Sequence, residues 1–345
     1  MKNFLSHHLF LTIVTLIAFV SCKGQPQQQK IQSVINISGS ESIYPLALKL
    51  VNEYQKTHPQ VQINIKAGGT GKGLQDLNDK YADIAMASRD LTPAEVKSGL
   101  WTINIGGDAV VIIMNKKNKY MKTMITHGFT PKELVEMYVT KTLKGWNSLS
   151  TNGDREKNAL VLLKRPESSG DGATIAKFLG TRPSLMAGRE VNTAQEVLNE
   201  VDRNPYAIGF ANTATIYDSI TRKPKSNIIV MPIDYDRDGD IEDYENNFET
   251  IDNLINAIIN RKLPGPPARN LYFVSKGKPQ RKDIIEFYNW VLGEGQRYVH
   301  TSGYVRFKPD YMKSQIQMLN SATQKAAPAA PVSRPPLKPG YKYTY

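Results

Sequence analysis

SGSESIYPLALKLVNEY, Ser38 to Tyr54, runs from an extended stretch through a turn of small hydroxyl residues into a helix. Leu46, Leu50, Val51 and Tyr54 recur at helical spacing. KRPESSGDGATIAKFLG, Lys164 to Gly180, has the same layout, with Arg165 ahead of its turn. The first N–H groups of a helix have no intrahelical partner, and the helix dipole is positive there. Such a turn is a ready anion site. Serine is also a preferred N-cap, so either turn alone is compatible with plain capping. The pair, with Arg165 beside the second, points to one anion held between two lobes.

Outward from these turns, strand and helix signals alternate. VQINIKA alternates apolar and polar residues, and GDAVVIIMN, Gly107 to Asn115, is the continuous apolar run of a strand buried on both faces. ADIAMAS, ALVLLKR, YAIGFA and NLYFVS read as further strands, and IIVMPI as another. Thr130-Pro131-Lys132-Glu133 opens a helix with a capping box and Pro in its first turn. Helices are also expected over Ala173–Leu179, Thr250–Arg261 and Arg281–Val299. The alternation predicts an α/β fold, whose ligands sit at the carboxyl ends of the strands.

The chain has 345 residues, enough for about two domains. Its single cysteine forms no internal disulfide. Residues 1–21 read as a signal peptide: Lys2, then an apolar run from Leu9 to Val20 too short to span a bilayer. Cys22 follows where a bacterial lipoprotein carries its acylated cysteine. Residues 22–30 then form a lipid-anchored tether. Residues 321–345, rich in Pro, Ala and Lys, read as a disordered tail. The net charge is +12, but more than half comes from Lys2, Lys23 and Lys30 and from Lys325, Arg334, Lys338 and Lys342, in termini without acids. The folded part is mildly basic, which suits small anions, and no basic helix or aromatic–basic array indicates nucleic acid.

AGGTGKG, Ala67 to Gly73, is not a phosphate-binding P-loop, since Lys66 and Gly73 stand where that motif needs Gly and Ser or Thr. DYDRDGDIEDYE, residues 234–245, fits the calcium loop D-x-D-x-D-G-x5-E without a mismatch. Asp234, Asp236 and Asp238 supply oxygens, Gly239 permits the bend, Asp240 gives its carbonyl, Glu242 holds position nine and Glu245 binds bidentately. A strand-like flank favours a structural Ca²⁺ loop over a switching helix pair, and an acidic surface loop is the plain alternative. The histidines lie outside any metal or triad spacing, so no enzyme is indicated.

The ordered set GSESIYPLA, AGGTGKGLQDL, ADIAMASRDLT, KRPESSGDGATIAKF, YAIGF and GEGQRYVHTSGYV resembles the phosphate-binding subunit of bacterial phosphate ABC importers, from about Ser38 to Phe307. The resemblance implies a two-lobe periplasmic binding protein fold of the second type, with lobes joined by two hinge strands. One lobe would comprise 31–114 plus 265–320, the other 115–264 with the loop 234–245. Phosphate would be held by Ser40, Ser42 and the Ile43 N–H, by Gly69 or Thr70, by Ser88 and Arg89, and by Arg165, Ser169, Gly170 and Asp171. Two departures stand out. Many members carry an aspartate where Arg89 follows Ala87-Ser88, and it accepts the phosphate proton that sulfate lacks. The usual threonine is here Asp171, either a helix cap or the displaced acceptor. The resemblance implies a monomeric, lipid-anchored protein on the periplasmic or outer face of a bacterial membrane. It would capture inorganic phosphate, without a required cofactor, for ABC permease membrane subunits. The alternatives are a binder of another tetrahedral oxyanion, a phosphohydrolase, or a calcium-dependent surface scaffold.

Overall fold

The computed structural model describes residues 31–149, 158–243, 245–260 and 268–321. The expected signal peptide, the tether with Cys22, and the tail beyond Ser321 lie outside the described residues. In chain order the elements are β1 (Ser33–Gly39), α1 (Tyr44–Thr57), β2 (Val61–Ala67), α2 (Thr70–Asn78), β3 (Ile84–Ala87), α3 (Pro93–Lys97) and β4 (Leu100–Asn115). Next come α4 (Met121–His127), α5 (Pro131–Tyr138), β5 (Val161–Lys164), α6 (Gly170–Phe178), β6 (Arg189–Glu190), α7 (Ala194–Arg203), β7 (Ala207–Asn212), α8 (Thr213–Ile216) and β8 (Ile228–Val230). The chain continues through α9 (Ile251–Ile259), β9 (Ala268–Lys276), α10 (Lys282–Leu292), α11 (Arg297–Thr301) and α12 (Pro309–Asn320).

The strands connect in the order β2-β1-β3-β9-β4-β7-β5-β6, with β8 also on β4. Parallel pairs lie at the two ends, β1 with β2 and β3, and β5 with β6 and β7. Between them, the long antiparallel pair β4–β9 passes from one half to the other. The halves keep separate cores, the two lobes of the fold. In the first, Leu46, Leu50 and Tyr54 of α1 pack with Ile35, Ile37, Ile103, Phe273 and Phe287, while Leu74 and Leu77 of α2 cover the other face with Ala85 and Val274. In the second, Val111 and Ile113 of β4 face Val197 and Leu254, whereas Val110, Ile112 and Met114 face Leu134, Trp146 and Phe210. The apolar run Ala109–Met114 of β4 is thus divided between two cores, one on each face. Each fully buried Leu or Ile contributes about 1.5–3 kcal/mol.

The cores change over along β4 between Ile105, in the first, and Ala109, in the second. That is earlier than the boundary at 114 drawn from the sequence. The strand itself begins at Leu100 and is bulged between Asn104 and Gly106. The expected helix over Arg281–Val299 is broken after Leu292 into α10, a short turn at Glu294–Gln296 and α11. Gly295 lies in the break, where a Cβ would meet Leu50 and Trp290 at 3.1 Å, so the turn sits tightly against α1. No described helix is long and apolar enough to cross a membrane.

Candidate functional site

The capping chemistry differs from helix to helix. The α3, α5 and α7 helices begin with full capping boxes, Thr92/Glu95, Thr130/Glu133 and Thr193/Glu196. By contrast α1 starts at Ile43 and α2 at Gly69, both without a side-chain cap. Both starts follow parallel strands, β1 and β2, and lie beside one another. Their closeness needs Gly73, where a Cβ would meet Gly39 Cα at 2.5 Å and Ser38 O at 2.6 Å. Asp76, one turn on, accepts from Ser38 Oγ at 2.6 Å and pairs with Lys72, fixing α2 to the end of β1. The Lys72 ammonium and then the Ser38 hydroxyl hold the Asp76 carboxyl below its ordinary range.

Hydroxyls gather at these helix starts. Ser40 Oγ lies 2.9 Å from Ser42 Oγ and donates to Ser88 Oγ at 2.9 Å. Thr70 Oγ1 accepts from the Ser88 N–H at 3.1 Å. The second lobe faces them with the start of α6. There the Ser169 side chain accepts from the Gly172 N–H at 3.2 Å and from Arg165 Nε at 3.2 Å. Arg165 is only 4% exposed, and its Nη2 reaches across the lobes to Glu41 Oε2 at 3.0 Å. Ser40, Glu41, Ser42, Gly69, Ser88, Arg165, Gly170 and Asp171 line one small cleft. The lobes touch there: the Gly71 N–H donates to Ser168 O at 3.3 Å. A Cβ on Gly170 would come within 1.9 Å of Ser88 Oγ.

Most residues picked from the sequence therefore meet. Ser40, Ser42, Gly69, Thr70 and Ser88 come from the first lobe, and Arg165, Ser169, Gly170 and Asp171 from the second. The Ile43 side chain belongs to the first core, and its backbone supplies the start of α1. Arg89 is not brought in. Its guanidinium is held bidentately by Glu95 at 2.8 Å and also donates to Asp90 O, because Glu95 of the α3 capping box lies within its reach.

The sequence reading missed Arg269, Asp108, Thr174, Asn212 and Glu41. Arg269 on β9 stands opposite Asp108 on β4 and binds it twice, at 2.7 and 3.0 Å. It also donates to Thr174 Oγ1 at 3.1 Å, Ser42 Oγ at 3.1 Å and Asp171 Oδ1 at 2.6 Å. Asn212 Nδ2 donates to the other Asp171 oxygen at 3.0 Å. Burial raises the Asp171 carboxyl, but Arg269, Arg165 and Asn212 outweigh it and hold the group below its ordinary range. Asp171 is thus anionic at neutral pH. The signal was present in the sequence: one aspartate and one arginine stand in otherwise apolar strand runs, and a buried charge requires a partner.

The acidic loop forms a second cluster. Asp234 and Glu245 are buried, and carboxylate oxygens of Asp234, Asp236 and Glu245 lie within 4.8 Å of one another. Asp236, Asp238 and Glu242 form an overlapping group. Asp240 is in neither group; its N–H donates to Asp238 Oδ1 at 3.1 Å. Asp234 accepts from the Arg237 and Gly239 N–H groups, at 2.5 and 3.1 Å. Gly239, at φ +90°, makes the bend, and its carbonyl lies 2.6 Å from His127 Nδ1. Burial first, and then the bond with Glu242, push the Glu245 carboxyl up to about 8. Five converging carboxylates around a glycine bend are the kind of oxygen donors that suit a hard cation.

The comparisons with known proteins agree with this architecture. A family model described as a PBP superfamily domain matches residues 24–294, and the chain belongs to that superfamily. It is 34% identical over 110 residues to phosphate-binding protein PstS 2 of Streptococcus pneumoniae, 31% of this chain and 38% of that protein. The chain thus spans under two fifths of the length of that relative. It is also 23% identical over 297 residues to phosphate-binding protein PstS of Borreliella burgdorferi, 84% of this chain and 94% of that protein. Among solved structures, a Clostridium perfringens protein with bound phosphate superposes with a TM-score of 0.64 at 21% identity, covering 80% of this chain and 100% of that one. An ABC-type phosphate transport receptor from Vibrio cholerae gives 0.58 at 21% identity, covering 79% and 99%. These structures bear out the two-lobe α/β fold.

Proposed function

We propose that this chain is an extracytoplasmic solute-binding protein that captures inorganic phosphate and delivers it to the membrane subunits of an ABC permease. The observation that carries this reading is the cleft. Two uncapped helix starts and the buried hydroxyls of the first lobe converge with the nearly buried Arg165 of the second on one small space. Hydroxyls and N–H groups donate to oxyanion oxygens, and the guanidinium fork matches two of them. Closing the lobes around the anion is the hinge motion such a fold allows. No described histidine reaches the cleft: His58 stacks on Tyr54, His127 meets Gly239 and His300 lies near Asp252. A binding role therefore fits better than phosphoester hydrolysis. The relatives' names add support for phosphate over other oxyanions.

Asp171 lines this cleft as an anion, which fits it to accept the proton of hydrogen phosphate and to repel sulfate. Calorimetric titration with phosphate, sulfate and arsenate tests the reading. Phosphate binds and sulfate does not if it holds; no phosphate binding sinks it. Asp171→Asn should narrow the phosphate-to-sulfate ratio, and an unaltered ratio would leave Asp171 a cap.

Attachment through an acylated Cys22 belongs to the same proposal and rests on the sequence around it. Membrane fractionation of wild type and Cys22→Ser tests it, since a wild type found only in the soluble fraction refutes the anchor. The loop at 234–245 is proposed as a structural Ca²⁺ site, on the strength of its complete motif and the convergence of Asp234, Asp236, Asp238, Glu242 and Glu245.

A further inference from the structure

We propose that Arg269 is a positioning residue that offsets the charge of Asp171 and so makes a carboxylate-lined cleft able to accept an anion. This rests on the anion-binding reading above and explains how it survives Asp171. A carboxylate in the wall of an anion site repels the ligand, and the more so in a buried setting where solvent screens little. Arg269 meets that problem from outside the cleft. It is 7% exposed, stands on the hinge strand β9, and is anchored bidentately by Asp108 on the neighbouring hinge strand β4. From that fixed base its Nη2 reaches Asp171 Oδ1 of the second lobe and Ser42 Oγ of the first. Asp171 lines the cleft, whereas Arg269 does not.

The charges of the network explain the division of labour. Arg269 is spent on Asp108 and Asp171, two buried carboxylates. Arg165 faces the half-exposed Glu41 and is the cation left to be taken over by a ligand. Because the Ser42 and Asp171 contacts lie on different lobes, Arg269 holds both only when the lobes are closed. Opening them separates Asp171 from Ser42, and the Arg269 contact with both is regained only as the hinge closes. The anion site and the hinge are thereby joined through one side chain.

A double-mutant cycle on phosphate affinity tests this. Inorganic phosphate is titrated calorimetrically into wild type, Arg269→Met, Asp171→Asn and the double variant, with melting curves to record folding. Arg269→Met should lose about a hundredfold or more in affinity while Asp171 is a carboxylate, the scale of one uncompensated charge at close range. The same substitution in the Asp171→Asn background should change affinity by less than about fivefold. Equal losses in both backgrounds, or no loss in either, overturn the proposal, since a merely structural arginine would act regardless of the Asp171 charge. If Arg269→Met alone does not fold, the cycle is run with Asp108→Asn throughout, which removes the other stranded carboxylate. A wild type that does not bind phosphate would fail the functional reading instead, and is distinguished by that first titration.

Discussion

Arg165 is the cation that an incoming anion can claim. Its Nε and Nη1 are tied to Ser169 and Val191 within its own lobe, while Nη2 is held by Glu41 of the other. The first two contacts set the plane of the guanidinium, and the third is an ion pair that a ligand oxygen can replace. Arg165→Ala should therefore cost about 1.5–3 kcal/mol of phosphate affinity, the range for a hydrogen bond to a charged group. Isothermal titration reads this directly, and an unchanged affinity would remove Arg165 from the site. Asp76 offers a pH-dependent test at the same scale. Lys72 and Ser38 lower its native pKa, so the stability it contributes is present above its ordinary value of about 4 and lost as pH falls through the native value. Asp76→Asn should thus be less stable than wild type in urea at pH 7, with the gap shrinking towards pH 3. A gap independent of pH would mean that the carboxylate charge contributes nothing.

Single elements divide into those stabilised by themselves and those completed from elsewhere. The capped helices α3, α5 and α7 carry their own acceptors, whereas α1 and α2 begin beside the cleft without a side-chain cap. The acidic loop is the opposite case, with an excess of acceptors. Asp234, Asp236, Asp238, Glu242 and Glu245 lie within one 12-residue motif, and two of them are buried. Their mutual repulsion is relieved by a divalent cation that binds only the folded loop, so calcium should raise the melting temperature by mass action. Extracellular sites of this kind bind at about 0.1–1 mM. Melting with calcium or chelator, in wild type and in Asp234→Ala/Asp238→Ala, checks this. The shift is expected in wild type alone, and equal melting in all samples would reduce the motif to an acidic loop.

At the level of the whole molecule the decisive contact is the meeting of the two lobes at Gly170. The start of α6 approaches Ser88 and Thr70 so closely that a methyl group does not fit: Ser88 Oγ lies 1.9 Å and Thr70 Oγ1 3.2 Å from the Cβ position. Gly170→Ala would force Ser88 from its bond with Ser40 or hold the lobes apart. Either outcome weakens the ligand site while leaving both lobe cores intact. Phosphate affinity should fall by about tenfold or more, the effect of one lost hydrogen bond with imperfect closure. Small-angle scattering should show less compaction on adding phosphate than in wild type. Full compaction together with normal affinity would show that closure does not pass through this contact.

The sequence by itself determined the alternation of strands and helices, the two hydroxyl turns and the complete calcium-loop motif. These are local: periodicity, capping residues and a fixed spacing of carboxylates are written in contiguous residues. Ser40, Ser42, Ser88, Arg165 and Asp171, picked out in the sequence, line one cleft in the structure, because each sits in or beside a turn at a strand's end. The partners of Arg89, Arg165 and Asp171 were not legible. Arg89 turned to Glu95, six residues on, and Arg269 reached Asp171 from a strand 98 positions away. Nor could the helix break at Gly293–Gly295 be read, since the sequence does not say that α1 presses there. Which cation faces which carboxylate depends on how β4 and β9 align side by side, Asp108 opposite Arg269, and on how closely the lobes meet. Those are distances between segments far apart in the chain, and only packing of the two cores sets them.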